Sequence, residues 1–438
     1  MKTTFVATGD SFITRHIPEE GYPGYEELSD LIWNHDVRFA NLEMTFHNSE
    51  GSPAAESGGT WAMTDPSMLD DMLGFGFNLF NTANNHSGDF GEGGTMATIR
   101  HLRERGMIFA GTGPTLQEAS HAAYLETPGA RVALIGLSST CSKSSIAGGQ
   151  GLDMRGRPGL NPLRFRTVHH LNAKHFAMAK ELAEVTLVNA QKEYSISTGY
   201  TPPFAEGTMP LGSMSLVLNA KDSDKEWNET IPNAADLERT VSEIREAKRQ
   251  ADIVLVSIHT HEMRARKTNE PPLFLERFAH ACIDAGATAV IGHGPHEMRG
   301  IEVYKGGLIF YSVGNFIFET ETVARQPWDA FAKHGLPVDT GVGAYMDHRS
   351  CNGTRGYVVL ENIWRAIVPE WTVEDGRVKD VILHPIELGQ SAPRSQRGVP
   401  VLSTGDKAKA ALEYLRELSK PYGTKITIRG GVGRVAMG

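Results

Sequence analysis

The chain has 438 residues, 40% of them hydrophobic and 22% charged, the composition of an ordinary globular protein and not of a disordered, fibrous or membrane one. Its formal net charge of -9, with no long lysine or arginine run, offers no electrostatic footprint for nucleic acid or an anionic membrane surface. The three cysteines, Cys141, Cys282 and Cys351, are widely spaced and form no CxxC pair, so neither a disulfide framework nor a thiolate zinc site is indicated.

From the first residues to about residue 140, short β-rich runs alternate with helical patterns, the signature of a layered α/β domain. Strands are predicted over residues 3–8, 37–42, 77–82 and 132–137. Helices are predicted between them over residues 25–34, 66–73 and 95–105, with Asp65-Pro66 as a cap and first-turn pair. No opening stretch is apolar enough for a signal-peptide core, and no later one approaches the roughly 20 apolar residues of a membrane helix. The cytoplasm is therefore the expected location.

Residues 141–232 read as an irregular insertion rich in Gly, Pro, Ser and Asn, with one helix over 169–190. Regular structure resumes with a helix over 234–250, a strand over 252–258, a helix over 272–285 and strands over 288–291 and 308–313. Residues 320–356 read as a second irregular excursion. A hairpin turning at Asp375-Gly376 and a helix over 407–419 complete the pattern. The expected division is a catalytic domain over residues 1–386, carrying both insertions, and a C-terminal helical extension over 387–438.

Six strand ends terminate in metal-ligand chemistry: Gly9-Asp10, Asn41-Leu42-Glu43, Asn84-Asn85-His86, His259-Thr260-His261, Gly292-His293-Gly294-Pro295-His296 and Gly314-Asn315. Ligands of open α/β folds bind at the carboxyl ends of strands. Carboxylates, an amide oxygen and imidazoles converging there form the donor set of a borderline divalent metal. Seventeen histidines cannot all serve a site; His47, His101, His121, His169, His170 and His175 have no special placement and are read as structural or surface groups.

Thr82-Ala83-Asn84-Asn85-His86, Ala285-Gly286-Ala287, Gly292 to His296 and Tyr311-Ser312-Val313-Gly314-Asn315-Phe316 together resemble the CapA family, named for a protein of poly-γ-glutamate capsule synthesis. The resemblance runs from about Thr3 to Phe316. It implies a layered α/β/β/α sandwich like that of calcineurin-like metallophosphoesterases, with irregular insertions. It also implies one or two divalent ions, manganese, iron, zinc or cobalt, held by Asp10, Glu43, Asn85, His259, His293 and His296. Asp10 would bind one ion, Glu43 would bridge, and Asn85 and His259 would bind the second. His86 would stand beside them as an acid or base, with His261 and His296 as further catalytic candidates. Two departures stand out. Phe12 occupies the position of a usual ligand histidine, which leaves a mononuclear centre open, and His261 adds an imidazole where many relatives have glycine.

Arg155, Arg157, Arg164 and Arg166 cluster in the first insertion. Such guanidinium groups either grip a substrate carboxylate or phosphate or form a solvated loop, and the frequency of surface arginine favours the loop. Arg155 and Arg157, with Asn315, are the substrate-binding candidates. No GxSxG elbow or GxxxxGK[ST] loop is present, which argues against a serine hydrolase or a P-loop enzyme.

Three functions follow from the resemblance. The first is epimerisation of a residue, expected to be C-terminal, in a ribosomal precursor peptide, the activity of an intracellular lasso-peptide branch, with the peptide received by the Arg155 to Arg166 region or by the 320–356 excursion. The second is hydrolysis of a phosphoester or amide. The third is a non-catalytic accessory role in a polyglutamate-type pathway. The expected partner is thus a peptide or a small amide or phosphoester substrate, with neither nucleic acid nor membrane.

Overall fold

Lys2–Phe12 is an eleven-residue strand buried along nearly its whole length, because it lies inside a sheet that is covered on both faces. The computed structural model describes residues 2–219 and 223–437. Their contacts separate two compact units: Arg164–Ala234 with Pro272–Phe278, and the remainder of the chain.

The larger unit contains a ten-stranded and a six-stranded sheet. In the first, Lys2–Phe12, Val37–Leu42, Leu79–Asn81 and Phe109–Ala110 run parallel, and Arg365–Glu374 and Arg377–Glu387 continue the sheet antiparallel on the other side. In the second, Arg131–Ser138, Ile253–His259, Ala289–His293 and Gly307–Val313 are parallel, with antiparallel strands at both edges.

Alternation along the strands divides the apolar residues between two faces. Phe5, Ala7, Phe39 and Trp371 of the first sheet share one core with Leu134, Leu255, Ile291 and Phe310 of the second. Val6, Ala40 and Phe80 face the other way, onto Leu28, Ile32, Leu69, Met72 and Leu102 of helices Tyr25–Trp33, Met68–Gly74 and Gly91–Glu104. Val254 and Val256, equally buried, alternate with Leu255. Helix Leu273–Ala285 lies in the crossover between the parallel strands Ile253–His259 and Ala289–His293. Helix Ala234–Gln250, which buries Val241, Ile244 and Ala247, leads into strand Ile253–His259. The larger unit has the α/β/β/α sandwich expected from the sequence.

The predicted strands and helices of the two α/β sets are present with small shifts of boundary. The first insertion differs from its expectation. It holds a four-stranded sheet of Thr208–Leu211, Met214–Leu218, Phe165–Leu171 and Trp227–Pro232. It also holds two helices, Ala173–Thr186 and Ala190–Ser197, in place of one over 169–190. Asn172 sets the start of the first helix by accepting a hydrogen bond from His175 N at 2.9 Å. These strands are only half-buried, so they lack the apolar run that marks a core strand. The second excursion contains helices Trp328–Lys333 and Val342–Ser350. Beyond residue 386, helix Gly405–Ser419 is joined by strands Ile426–Arg429 and Val432–Val435 at one edge of the ten-stranded sheet. Among the described residues no helix is long and apolar enough to cross a membrane.

Candidate metal centre

Register brings the expected donors to one level. Asp10 pairs with Asn41 on one side and Asn315 on the other, and in the second sheet His259 pairs with His293. Asp10, Asn41, His259 and His293 stand at or near the carboxyl ends of parallel strands, where ligands of such sheets bind, and Asn315 opens strand Asn315–Phe318.

Asp10, His259 and His293 form one donor group, fully buried. Both His259 Nδ1 and His293 Nδ1 lie 3.4 Å from Asp10 Oδ1, and the two nitrogens are 3.0 Å apart. The Asp10 carboxylate is fixed from behind: Asn41 Nδ2 donates to Oδ1 at 2.8 Å and Gly294 N to Oδ2 at 2.9 Å. Asn41 is itself held by Asn81 Nδ2, which donates to its Oδ1 at 2.7 Å. Ser257 Oγ meets the far nitrogen of His293, Nε2, at 2.7 Å. Such outer partners orient the imidazole and fix its tautomer.

Glu43, His261 and His296 form the second group. Glu43 Oε1 lies 3.6 Å from His259 Nε2, 3.7 Å from His296 Nε2, 3.9 Å from His261 Nε2 and 4.0 Å from His86 Nε2. His259 Nε2 and His261 Nε2 are 3.0 Å apart, so His259 touches both groups. His86 turns its other nitrogen, Nδ1, to Asp89 Oδ2 at 2.7 Å, and its ring meets Phe12 edge-on at 5.6 Å. Phe12, where the resemblance implied a ligand histidine, therefore offers only carbon to this face of His86.

Both Glu43 carboxylate oxygens are buried without a hydrogen-bond partner, as is Asn85 Oδ1. A buried carboxylate with neither donor nor cation is among the costliest arrangements a protein can hold. Four imidazole nitrogens surround Glu43 and three more lie against the Asp10 carboxylate, so the residues fit one or two divalent ions. The first group would hold an ion through Asp10, His259 and His293. The second would hold one through Glu43, His261 and His296.

The electrostatics agree. Burial alone would raise the Asp10 pKa, but hydrogen bonding to His259, His293 and His296 outweighs it and holds the carboxyl well below its usual range. Burial, then the charges of Asp10 and Asp89, push Glu43 well above the ordinary glutamate value. Burial draws His259 down to about 4 against the pull of Asp10. His261 is held well below 6.5 by burial and by the neighbouring His259 and His296. Neutral His259 and His261 beside an ionised Asp10 are the protonation pattern that metal ligation needs, whereas the raised Glu43 shows that its ionised form lacks a counter-charge among the surrounding side chains.

The structure brings together Asp10, Glu43, His86, His259, His261, His293 and His296, while Asn85, next to His86 in the chain, is held on Gly58 O through Nδ2 and leaves its buried Oδ1 unpartnered; several expected roles are revised. His261, expected to carry protons, lies in a donor group with Glu43 and His296. Asn315, expected to bind substrate, is buried and fully engaged: its Oδ1 meets His296 Nδ1 at 2.9 Å, and its Nδ2 donates to His296 O at 3.2 Å and Ile363 O at 2.9 Å. It positions His296. Arg155 and Arg157 are exposed, and the Arg157 guanidinium is spent on the Ile146 carbonyl at 3.0 and 3.2 Å. Neither forms a hydrogen bond or ion pair with the centre. Ser257 and Asp89 were not singled out from sequence, and Asn41 was named only within the Asn41-Leu42-Glu43 strand end, without a role. Tyr357 was also missed; its ring lies 5.3 Å from that of His296.

The family model described as bacterial capsule synthesis protein PGA_cap matches residues 4–320. An uncharacterised protein, y4sH, of Sinorhizobium fredii is 32% identical over 99% of this chain and 93% of its own length. The capsule biosynthesis protein CapA of Bacillus anthracis is 26% identical over 56% of this chain and 41% of its own. Among solved structures, a hypothetical protein from Thermus thermophilus aligns over 88% of this chain and 99% of its own at 14% identity, with a TM-score of 0.38, too slight to add to the strand pairing given above.

Proposed function

The chain belongs to the bacterial capsule synthesis family PGA_cap, and from that premise we propose that it is a metal-dependent enzyme whose first activity is hydrolysis of an amide or phosphoester link. The observation that carries this reading is the fully buried Glu43 carboxylate, with no hydrogen bond to either oxygen and imidazole nitrogens on several sides. A divalent ion bound there supplies Lewis acidity toward a carbonyl or phosphoryl oxygen.

The chain's own part is to orient and to move a proton. Asp89 holds Nδ1 of His86, which leaves Nε2 facing the donor groups as the atom that takes or gives a proton. Asp89 is held in turn, with Ala62 N donating to its Oδ2 at 2.8 Å and Gly58 N to its Oδ1 at 3.0 Å. Asn41, Ser257 and Asn315 keep Asp10, His293 and His296 aimed at the centre, so their geometry is set before substrate arrives.

Hydrolysis ranks first because it needs only one proton carrier beside the donor groups, and His86 with Asp89 supplies it. Epimerisation of a peptide residue, implied by the resemblance, needs in addition a proton source for the opposite face of the carbon. Tyr357 is the one observation in its favour, a partly exposed phenol near Glu43, Asp10 and His296. Both readings are separated by incubating the metal-loaded protein with p-nitrophenyl phosphate and with a glutamyl peptide amide in heavy water, followed by mass spectrometry. Metal-dependent bond cleavage supports hydrolysis. One deuterium on an uncleaved peptide supports epimerisation, and neither change in any metal-loaded sample contradicts both.

A further inference from the structure

The centre opens beside a cleft of about 200 Å³ lined by Thr320, Glu321, Arg349, Ser350, Arg355 and Tyr357, among others. Tyr357 links cleft and centre, since its ring packs against both His296 and Phe318. Arg349 stands at the end of helix Val342–Ser350, and its Nη1 donates to Thr60 Oγ1. Thr60 lies two residues from Gly58, whose carbonyl accepts from Asn85 Nδ2 at 3.0 Å. The guanidinium therefore spans from the second excursion to the loop that carries the Asn85 contact.

Its charge is not neutralised there. Glu321, the carboxylate of the cleft, is taken by Arg397 at 2.8 Å and Arg394 at 3.5 Å, and Asp347 by Arg394 at 2.6 Å. Among the described residues Arg349 forms no ion pair. Arg355 adds a second guanidinium that meets only the carbonyls of Arg349 at 3.0 Å and His348 at 3.4 Å. A half-buried guanidinium with unused donors is built to receive an oxyanion in a two-point grip.

We propose that Arg349, with Arg355 and the Tyr357 hydroxyl beside it, forms a subsite for an anionic group of the substrate, a carboxylate or a phosphate, next to the bond presented to the metal centre. This rests on the reading of the centre as the reactive site. It also moves anion recognition from Arg155 and Arg157 to the second excursion.

The test is calorimetric titration of the metal-loaded full chain with glutarate, inorganic phosphate and neutral glutaramide. Wild type, Arg349→Gln and Arg349→Lys are compared, with metal content and circular dichroism measured on each. Expected are anion binding weakened at least about tenfold in Arg349→Gln, equivalent to about 1.4 kcal/mol, partial recovery in Arg349→Lys, unchanged metal content, and no effect of residue 349 on glutaramide. A larger loss for glutarate identifies a carboxylate subsite, and a larger loss for phosphate a phosphate one. Anion binding that is absent from the wild type or indifferent to residue 349 overturns the proposal. So does loss of metal or fold in both variants, which would make Arg349 a structural prop. Because titration reads binding and not turnover, glutarate held through Arg349 by a protein that cleaves nothing would refute the hydrolytic reading and leave the subsite standing.

Discussion

A Cβ placed on Gly9 would stand 1.7 Å from the carbonyl oxygen of Gly314. The two strands approach this closely just where Asp10 N donates to the same carbonyl at 3.2 Å, so the backbone contact that seats Asp10 has no room for a side chain. Gly9→Ala is expected to push the strands apart at the metal centre, at a cost on the order of 1–3 kcal/mol. It should also weaken metal binding, because Asp10 is displaced. Urea unfolding and a metal titration of the variant check both effects; a normal metal affinity would show that Asp10 does not depend on this contact.

His86→Gln is expected to lower kcat by about 10²–10⁴ while leaving metal content intact, since the imidazole is placed beside the donors and not among the two donor groups. Asp89→Asn should shift the pH profile of whatever activity is found, because it removes the charge that fixes His86 Nδ1. Steady-state rates across pH on both variants provide the check. Equal loss of metal and of activity would instead make His86 a ligand.

The donors were legible because each follows an apolar strand, and a polar residue at such an end faces the place where parallel sheets bind ligands. Asp10, Glu43, His259, His293 and His296 announce themselves in this way. Asn41 and Ser257 do not, since a single polar residue inside a strand looks the same whether it braces a ligand or only satisfies the backbone. Asn315 was placed correctly but given the wrong role, because whether an amide meets substrate or a neighbouring imidazole depends on the strand across from it. Arg349 lies in an excursion without periodicity, where only the folded chain brings it to the loop beside Asn85. The small sheet of the first insertion escaped for a related reason, as its half-exposed strands bury too little to leave an apolar run.

His47 is buried, and neither ring nitrogen has a hydrogen-bond partner. Burial draws its pKa from 6.5 to about 4. Between those values the unfolded chain binds a proton that the folded chain refuses, so this residue makes stability rise with pH. Its contribution is intact above 6.5 and is lost as the pH falls toward 4. Acidification from about pH 6.5 to 5 is expected to cost about 2 kcal/mol at this position, and His47→Leu should flatten the decline. Denaturant midpoints of the metal-free protein at the two pH values test it; parallel losses in wild type and variant would place the sensitivity elsewhere.

Trp371 is 2% exposed between the two sheets, stacked on Phe5 at 5.1 Å and packed on Phe310 at 5.7 Å. Trp371→Ala is expected to destabilise the fold by about 3–5 kcal/mol. Chemical denaturation measures this directly. A cost below about 1 kcal/mol would mean that the inter-sheet core collapses around the gap or is not closed there.

The most direct test of the central claim is metal stoichiometry by inductively coupled plasma mass spectrometry, after reconstitution with manganese, iron, zinc or cobalt and removal of free ion. Wild type is compared with Asp10→Ala, Glu43→Gln and His293→Ala. The expected result is one or two divalent ions per wild-type chain, with fewer in each folded variant. A wild type that retains no ion from any of these metals, or variants that retain as much as the wild type, would contradict the account.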